Sequence, residues 1–328
     1  MSKYKEYCDY LNNELKMPLN GYKFNSQEFK CKKELLESIF GIQINCDDYS
    51  SVVNGEGKED RKIDTAFSSS LQSLLVFSQV NRGKKIRFEL GDREIDFTKA
   101  YFEYKNKVIG YPSSIDVVLQ SDKNELLFIE SKLFEPVYES DTVGKSVVGI
   151  SYFIKNRENS FYKKLKLKDK ETLSYLGINC PEEYGTDIKP ETKKYSIEAI
   201  EGNEYVYSEG IRQCLSHLIG VQNIDNPDED CSRELANIKN KKCYFITIVN
   251  KLPSYYDNDK VNNFINHVDR VIETVKDNIK DSVCVCKTTT YQDLYSLNHD
   301  YFKDLKKVVE YYKLNKKDWI YLFEMLHK

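Results

Sequence analysis

The segment Ser114-Ile115-Asp116-Val117-Val118-Leu119, a polar turn at Ser121-Asp122-Lys123-Asn124, and Leu126-Leu127-Phe128-Ile129-Glu130-Ser131-Lys132-Leu133 reads as two strands joined by a tight connection. Side chains alternate along a strand, so Glu130 and Lys132 share one face while Ile129, Ser131 and Leu133 share the other. If the strands pair around the turn, Asp116 comes beside Glu130. Two carboxylates and a lysine then converge at the edge of an apolar sheet. The bland alternative is a solvated ion pair worth ~0–1 kcal/mol. Charged residues are rare on strands this apolar unless paired or functional, which favours a site. The expected position is a cleft edge, where removing any of the three leaves the fold intact.

That grouping suits a hard divalent cation. Mg²⁺ takes one or two carboxylates and completes its shell with water and phosphate oxygens. Such a cation activates water and stabilises charge on a phosphate. A lysine beside it orients or deprotonates the water and neutralises the phosphorus centre.

Working outward, residues 1 to about 50 read as helical, with Leu35, Leu36, Ile39 and Phe40 in an apolar stripe that Gly41 ends. Val53 to Asp60 is polar and glycine-bearing. Ser68 to Gln79 reads as a short helix with a serine cap. Ile86 to Leu90 is an alternating strand, and Ile95 to Val108 holds a pair of strands. Glu135 to Tyr205 is polar, helical or irregular. Glu209 to Gly220 reads as a helix that its glycine ends. Cys243 to Val249 is a buried strand, Asn258 to Lys280 a helix, Val283 to Lys287 a strand and Tyr301 to Leu326 a C-terminal helix. This order predicts an α/β fold with a central mixed sheet flanked by helices.

The 328 residues are 40% hydrophobic and 31% charged, enough for a sizeable core and too apolar for wholesale disorder. A net charge of −3 excludes a general polycation, so a nucleic-acid site must be a local patch. The start lacks an apolar leader segment, and no run approaches the ~20 apolar residues of a membrane span. The nine cysteines contain no CxxC pair, and Cys284 and Cys286 lack two further zinc ligands at workable spacing. Reduced, mostly buried thiols and a cytoplasmic location are expected.

Asp116, thirteen intervening residues and Glu130-Ser131-Lys132 resemble the D-x(n)-ExK pattern of the PD-(D/E)XK nuclease superfamily. More narrowly, the chain resembles bacterial restriction endonucleases that share four marks. These match Gly55-Glu56-Gly57-Lys58-Glu59, Ser68-Ser69-Ser70-Leu71, the Asp116 to Lys132 hairpin, and Gln213-Cys214-Leu215-Ser216-His217-Leu218-Ile219-Gly220. The likeness spans about residues 55 to 291. It departs at Ile115, where many members carry proline. It implies a restriction-endonuclease-like core and a metal-dependent phosphodiesterase. Asp116, Glu130 and the main-chain carbonyl of Ser131 would hold Mg²⁺, with Mn²⁺ able to substitute, and Lys132 would assist the water. A carboxylate from an early helix often completes such sites. Glu59 holds the matching position and Glu56 is its rival.

Gln213 and His217 are four apart and lie on one helix face. The functional reading sets Gln213 against the scissile phosphate or the metal-bound water; the alternative is a core-edge amide. His267, His299 and His327 are expected at the surface. Gly144-Lys145-Ser146 lacks the upstream glycine of a phosphate-binding loop, since position 139 is Glu139, and Gly57-Lys58 fails likewise. No nucleotide-cofactor, HExxH or GxSxG motif is present. Lys155 to Lys170, with Phe161 and Tyr162 interleaved, and Lys303 to Lys317 are basic runs able to follow a phosphate backbone or to form solvated helix faces.

The resulting expectation is a nuclease core at residues 51–295 with a helical insertion at about 135–205, an N-terminal helical extension at 1–50 and a C-terminal helix at 296–328. Its expected activity is Mg²⁺-dependent hydrolysis of DNA, of a restriction or phage-defence type. The alternatives are action on RNA or on branched or damaged DNA, and a non-catalytic nucleic-acid-binding module. A homodimer suits two-strand cutting on symmetry grounds alone.

Overall fold

The computed structural model describes residues 32–55, 68–108, 112–133, 147–149, 194–196, 208–251 and 259–312. Glu56, Glu59, the Gly57-Lys58 and Gly144-Lys145-Ser146 segments, the basic run at 155–170, His327 and most of the expected N-terminal extension lie outside them.

Helix α1 (Lys32–Phe40) buries Leu35, Leu36 and Phe40 and ends at Gly41, whose φ of +65° favours glycine. Helix α2 (Cys46–Val53) follows. Helix α3 (Ser69–Phe77) starts where the Ser68 hydroxyl accepts a 3.0 Å bond from the Leu71 amide, and it is buried from Ser70 to Phe77.

Strand β1 (Ile86–Leu90) alternates buried and exposed residues, as a strand with one covered face should. It pairs antiparallel with β2 (Arg93–Lys107), β2 with β3 (Pro112–Ser121), and β3 with β4 (Glu125–Lys132). β5 (Val147–Gly149) and β6 (Lys194–Ser196) form a separate two-stranded antiparallel sheet. Helix α4 (Ser208–Gln222) leads to β7 (Lys242–Val249), which pairs parallel with β4. Helix α5 (Asp259–Val275) precedes β8 (Val283–Val285) and β9 (Thr289–Thr290), both parallel to β7. Helices α6 (Tyr291–Leu297), α7 (His299–Phe302) and α8 (Lys306–Tyr311) complete the described chain. The large sheet is therefore mixed, in the order β1-β2-β3-β4-β7-β8, with β9 beside β7.

Every residue of β4 is buried, and β7 is buried from Cys243 onward. Helix α4 packs against β2, β3 and β7, and α3 against β3 and β4. The His217 ring meets Glu130, whereas the hydroxyls of Tyr291 and Ser131 meet on the opposite side of β4. The strand is thus covered on both faces, and its end carries the charged residues.

Five expectations are corrected. Ile95 to Val108 is one long strand: its 93–107 stretch has no Gly or Pro to break it, and it bends through a register shift between Phe97 and Lys99. Gly220 lies inside α4, which continues to Gln222; close packing on Asn106 accounts for the glycine. Within the described residues, which end at 312, the expected C-terminal helix is broken into α7 and α8, with Tyr301, Phe302, Leu305 and Val308 all buried. The 135–205 insertion contributes the β5–β6 ribbon. His267 is buried, since it shares the packed face of α5 with Phe264, Val268 and Val271.

His299 is exposed as expected. Cys214, Cys231, Cys243 and Cys286 are buried free thiols, and Cys46 is exposed. Among the described residues no helix is long and apolar enough to cross a membrane.

Candidate active site

The β3–β4 ladder runs from Gln120↔Leu126 to Val117↔Ile129 and stops there. One step further, Asp116 and Glu130 come opposite each other. Here β3 supplies a side chain in place of its backbone: the Ser131 amide donates a 2.7 Å bond to Asp116 Oδ2. The Lys132 carbonyl faces β7, where it accepts a 2.8 Å bond from the Asn250 amide. Alternate residues of a strand direct their backbone groups to opposite sides. The Ser131 carbonyl therefore faces the Asp116 side.

Glu130 is held at both oxygens. Lys132 Nζ lies 2.6 Å from Oε1 and His217 Nε2 lies 2.9 Å from Oε2. His217 is 2% exposed, and the Glu130 and Lys132 side chains are 6% exposed. The expectation of a cleft-edge group whose removal the fold ignores is thereby corrected. These charges are taken out of water and depend on one another.

The two carboxylates respond in opposite directions. Burial pushes Glu130 up, but the charge of Lys132, and then His217 and the bonds from both, outweigh it and hold the carboxyl down at about 2. Burial pushes the Asp116 carboxyl well above the ordinary range, and the charges of Glu130 and Glu103 add to it. Lys132 and the Ser131 amide offset this only in part. Glu130 is thus held down and Asp116 pushed up. A pair of carboxylates pushed apart in this way is what shared sites show.

Sequence reasoning missed Glu103. Its φ of +49° marks a local kink in β2 at the register position opposite Asp116, between the pairs Phe102↔Val117 and Tyr104↔Ile115. A Cβ on Gly55 would lie 2.8 Å from the Glu103 carboxyl carbon, so Gly55 leaves room for this acid. Nothing in the alternating run Tyr101 to Lys107 distinguishes Glu103; the only available signal was Gly55, already singled out for its motif.

Also missed was a buried amide cluster behind Lys132. Gln72 and Gln292 both donate to Asn250 Oδ1, at 3.2 and 3.4 Å, and Gln292 Oε1 accepts from the Lys251 amide. On the other face of β4, the Ser131 hydroxyl meets Tyr291 at 2.7 Å, and Tyr291 meets Ser73 at 3.4 Å. These contacts fix the end of β4 from below. Gln213 lies one helical turn before His217 on the same face of α4. Its Oε1 is buried without a hydrogen-bond partner among the described residues.

The donors present fit a hard cation in part. No group of three or more His, Cys, Asp or Glu able to hold an ion exists among the described residues. Asp116, Glu130 and the Ser131 carbonyl nevertheless provide three oxygens of the type Mg²⁺ takes, which leaves coordination positions for water. The buried acceptor of Gln213 is the kind of atom a bound water would satisfy. Comparisons with protein-family models, with curated proteins and with solved structures return no match to this chain.

Proposed function

We propose that this protein is a Mg²⁺-dependent endonuclease of the PD-(D/E)XK kind, built on a restriction-endonuclease-like core. Its substrate is the DNA phosphodiester bond, in a restriction or phage-defence role, and Mn²⁺ substitutes for Mg²⁺. The observation that carries this reading is the convergence of Asp116, Glu130 and Lys132 at the point where the β3–β4 ladder ends, with Glu130 and Lys132 buried and paired at 2.6 Å.

When bound, the cation supplies a water of lowered pKa and charge stabilisation at the phosphate. The chain supplies the rest. Asp116, Glu130 and the Ser131 carbonyl bind the cation. Lys132 would turn from Glu130 to orient the water by donating to it, and its charge would offset that building on phosphorus. Gln213 accepts from the water or lies against the phosphate. The amide cluster and the Ser131–Tyr291 contact hold the strand end rigid, as a site of this kind requires.

The test is incubation of the purified chain with supercoiled plasmid, linear duplex and RNA, each with Mg²⁺ or EDTA, followed by end mapping. Metal-dependent nicking or linearisation of plasmid is expected. Cleavage of RNA alone moves the substrate class, and binding without cleavage in every metal reduces the protein to a nucleic-acid-binding module.

A further inference from the structure

Glu130 is anchored by two partners of different mobility. Lys132 reaches Oε1 through a four-carbon stem that can swing to another acceptor. His217 reaches Oε2 from inside α4 with a two-torsion side chain, 2% exposed and packed on Phe245 with ring centroids 6.4 Å apart. Of the two partners, Lys132 has the longer and more rotatable side chain and His217 the shorter one set in a helix.

We propose that His217 is a positioning residue that restricts Glu130 to a single coordinating oxygen and thereby selects Mg²⁺ over Ca²⁺. This rests on the cation-site reading above and deepens it. Oε2 accepts from the buried His217 Nε2–H, whereas the partner of Oε1 is the Lys132 ammonium. Mg²⁺ demands a compact octahedron and accepts carboxylates through one oxygen, with water in the remaining positions. Ca²⁺ takes six to eight oxygens and often both from one carboxylate. A Glu130 whose Oε2 is turned to His217 and shares its lone pairs with that N–H is a poorer two-oxygen ligand, which disfavours the larger ion. The hydrogen bond also explains why a histidine should be buried here at all, with its Nδ1 lacking a partner among the described residues: its value lies in the other nitrogen.

The experiment is calorimetric titration of the full chain with Mg²⁺ and with Ca²⁺, in wild type, His217→Leu and His217→Gln, with folding followed by circular dichroism. Wild type is expected to prefer Mg²⁺. His217→Leu frees Oε2, and the preference should fall by roughly 10–100-fold, the usual scale for losing a partner of a metal ligand. His217→Gln keeps an N–H donor at the same reach and should restore it, which a merely space-filling role would not predict. If His217→Leu fails to fold, His217→Asn, too short to reach Glu130, replaces it with the same expected loss. Metal-difference infrared spectra of wild type read the same property without a variant: the carboxylate splitting on Mg²⁺ loading should be that of one-oxygen coordination. An unchanged Mg²⁺/Ca²⁺ ratio in the leucine or asparagine variant, or a two-oxygen carboxylate band with Mg²⁺, overturns the proposal while leaving the cation site standing. Absence of binding of either ion by wild type overturns the cation-site reading and this proposal with it.

Discussion

The Ser131 amide donates to Asp116 Oδ2 at 2.7 Å, where the next backbone bond of the β3–β4 ladder would otherwise fall. One carboxylate oxygen thus does structural work while the group as a whole remains a candidate ligand. Asp116→Asn keeps an acceptor for Ser131 and removes the charge. Asp116→Ala removes both and leaves a buried N–H unmet, a loss of ~1–3 kcal/mol. Mg²⁺ affinity is expected to collapse in both variants, while thermal stability falls only in the alanine variant. Equal stability loss in the two would mean that the Ser131 bond contributes nothing.

Glu130 and Lys132 form a pair that tolerates joint removal better than single removal. Glu130→Ala takes from the Lys132 ammonium its 2.6 Å partner in a site 6% exposed, and breaking such a pair costs on the order of 3–5 kcal/mol. Lys132→Met leaves Glu130 with its His217 bond, so it should be milder, keep much of the Mg²⁺ binding and still lower cleavage by roughly 10²-fold or more. The double variant Glu130→Ala/Lys132→Met should be more stable than the sum of the two single changes predicts. Urea unfolding of all four proteins, beside their cleavage rates, checks this; strict additivity would mark the pair as uncoupled.

Acid should act on the two carboxylates with opposite sign. Glu130 is held at about 2 in place of the ordinary 4.5, so its contribution is complete above pH 4.5 and is lost as pH falls toward 2. Asp116 is raised well above 3.8, so its ionisation costs stability as pH rises from 3.8 through the raised value. Because Asp116 is pushed up, a cation that takes it as a ligand competes with its proton. Mg²⁺ affinity should therefore climb with pH across that second window, and binding should release a proton. Calorimetry in two buffers of different ionisation heat reads the proton directly. An affinity that stays flat as pH rises above 3.8 would remove Asp116 from coordination.

The β3–β4 hairpin was legible because its apolar runs, turn and period-two charges agree with one another. The same holds for the Ser68 cap and for Gly41. What escaped was whatever depends on distant partners. Nothing local to His217 indicates that its Nε2 meets Glu130, since 86 residues and an insertion separate them. Glu103 reads as one polar residue in an alternating strand, and only its positive φ opposite Asp116 gives it a role. Gly220 was read as a helix stop because glycine so often is one. The contact that explains it lies on β2, more than a hundred residues earlier.

Asp48 offers a pH test away from the site. Its Oδ1 accepts a 2.8 Å bond from Asn81, while Oδ2 is buried without a partner among the described residues. Burial lifts its carboxyl to about 6, against the Asn81 bond and with help from Asp47. A raised acid penalises the fold as pH rises through that value, by up to ~3 kcal/mol for a shift of this size. Asp48→Asn should stabilise the protein by about 1–2 kcal/mol near pH 7 and by nothing near pH 4, where the carboxyl is already neutral. Denaturant unfolding at the two pH values measures it. A gain that persists in acid would trace to packing and not to charge.

Gly220 couples the fold to the site. A Cβ there would lie 2.7 Å from the Cβ of Asn106 on β2. Alanine at this position gains ~1 kcal/mol of helix propensity. The opposing clash is with an atom fixed to the strand backbone in a side chain only 3% exposed, so it cannot swing away. Overpacking of this kind costs ~1–3 kcal/mol, and strain should win. Relief requires α4 to lift from the sheet, and His217 sits three residues before Gly220 on that helix. Gly220→Ala is therefore expected to lower the melting temperature and also to weaken Mg²⁺ binding, although Gly220 touches no ligand. Asn106→Gly removes the opposing Cβ, so the double variant should recover Mg²⁺ affinity even where strand glycine keeps stability low. A stabilised Gly220→Ala with unchanged Mg²⁺ affinity would show that α4 has room to spare and that propensity alone governs the position.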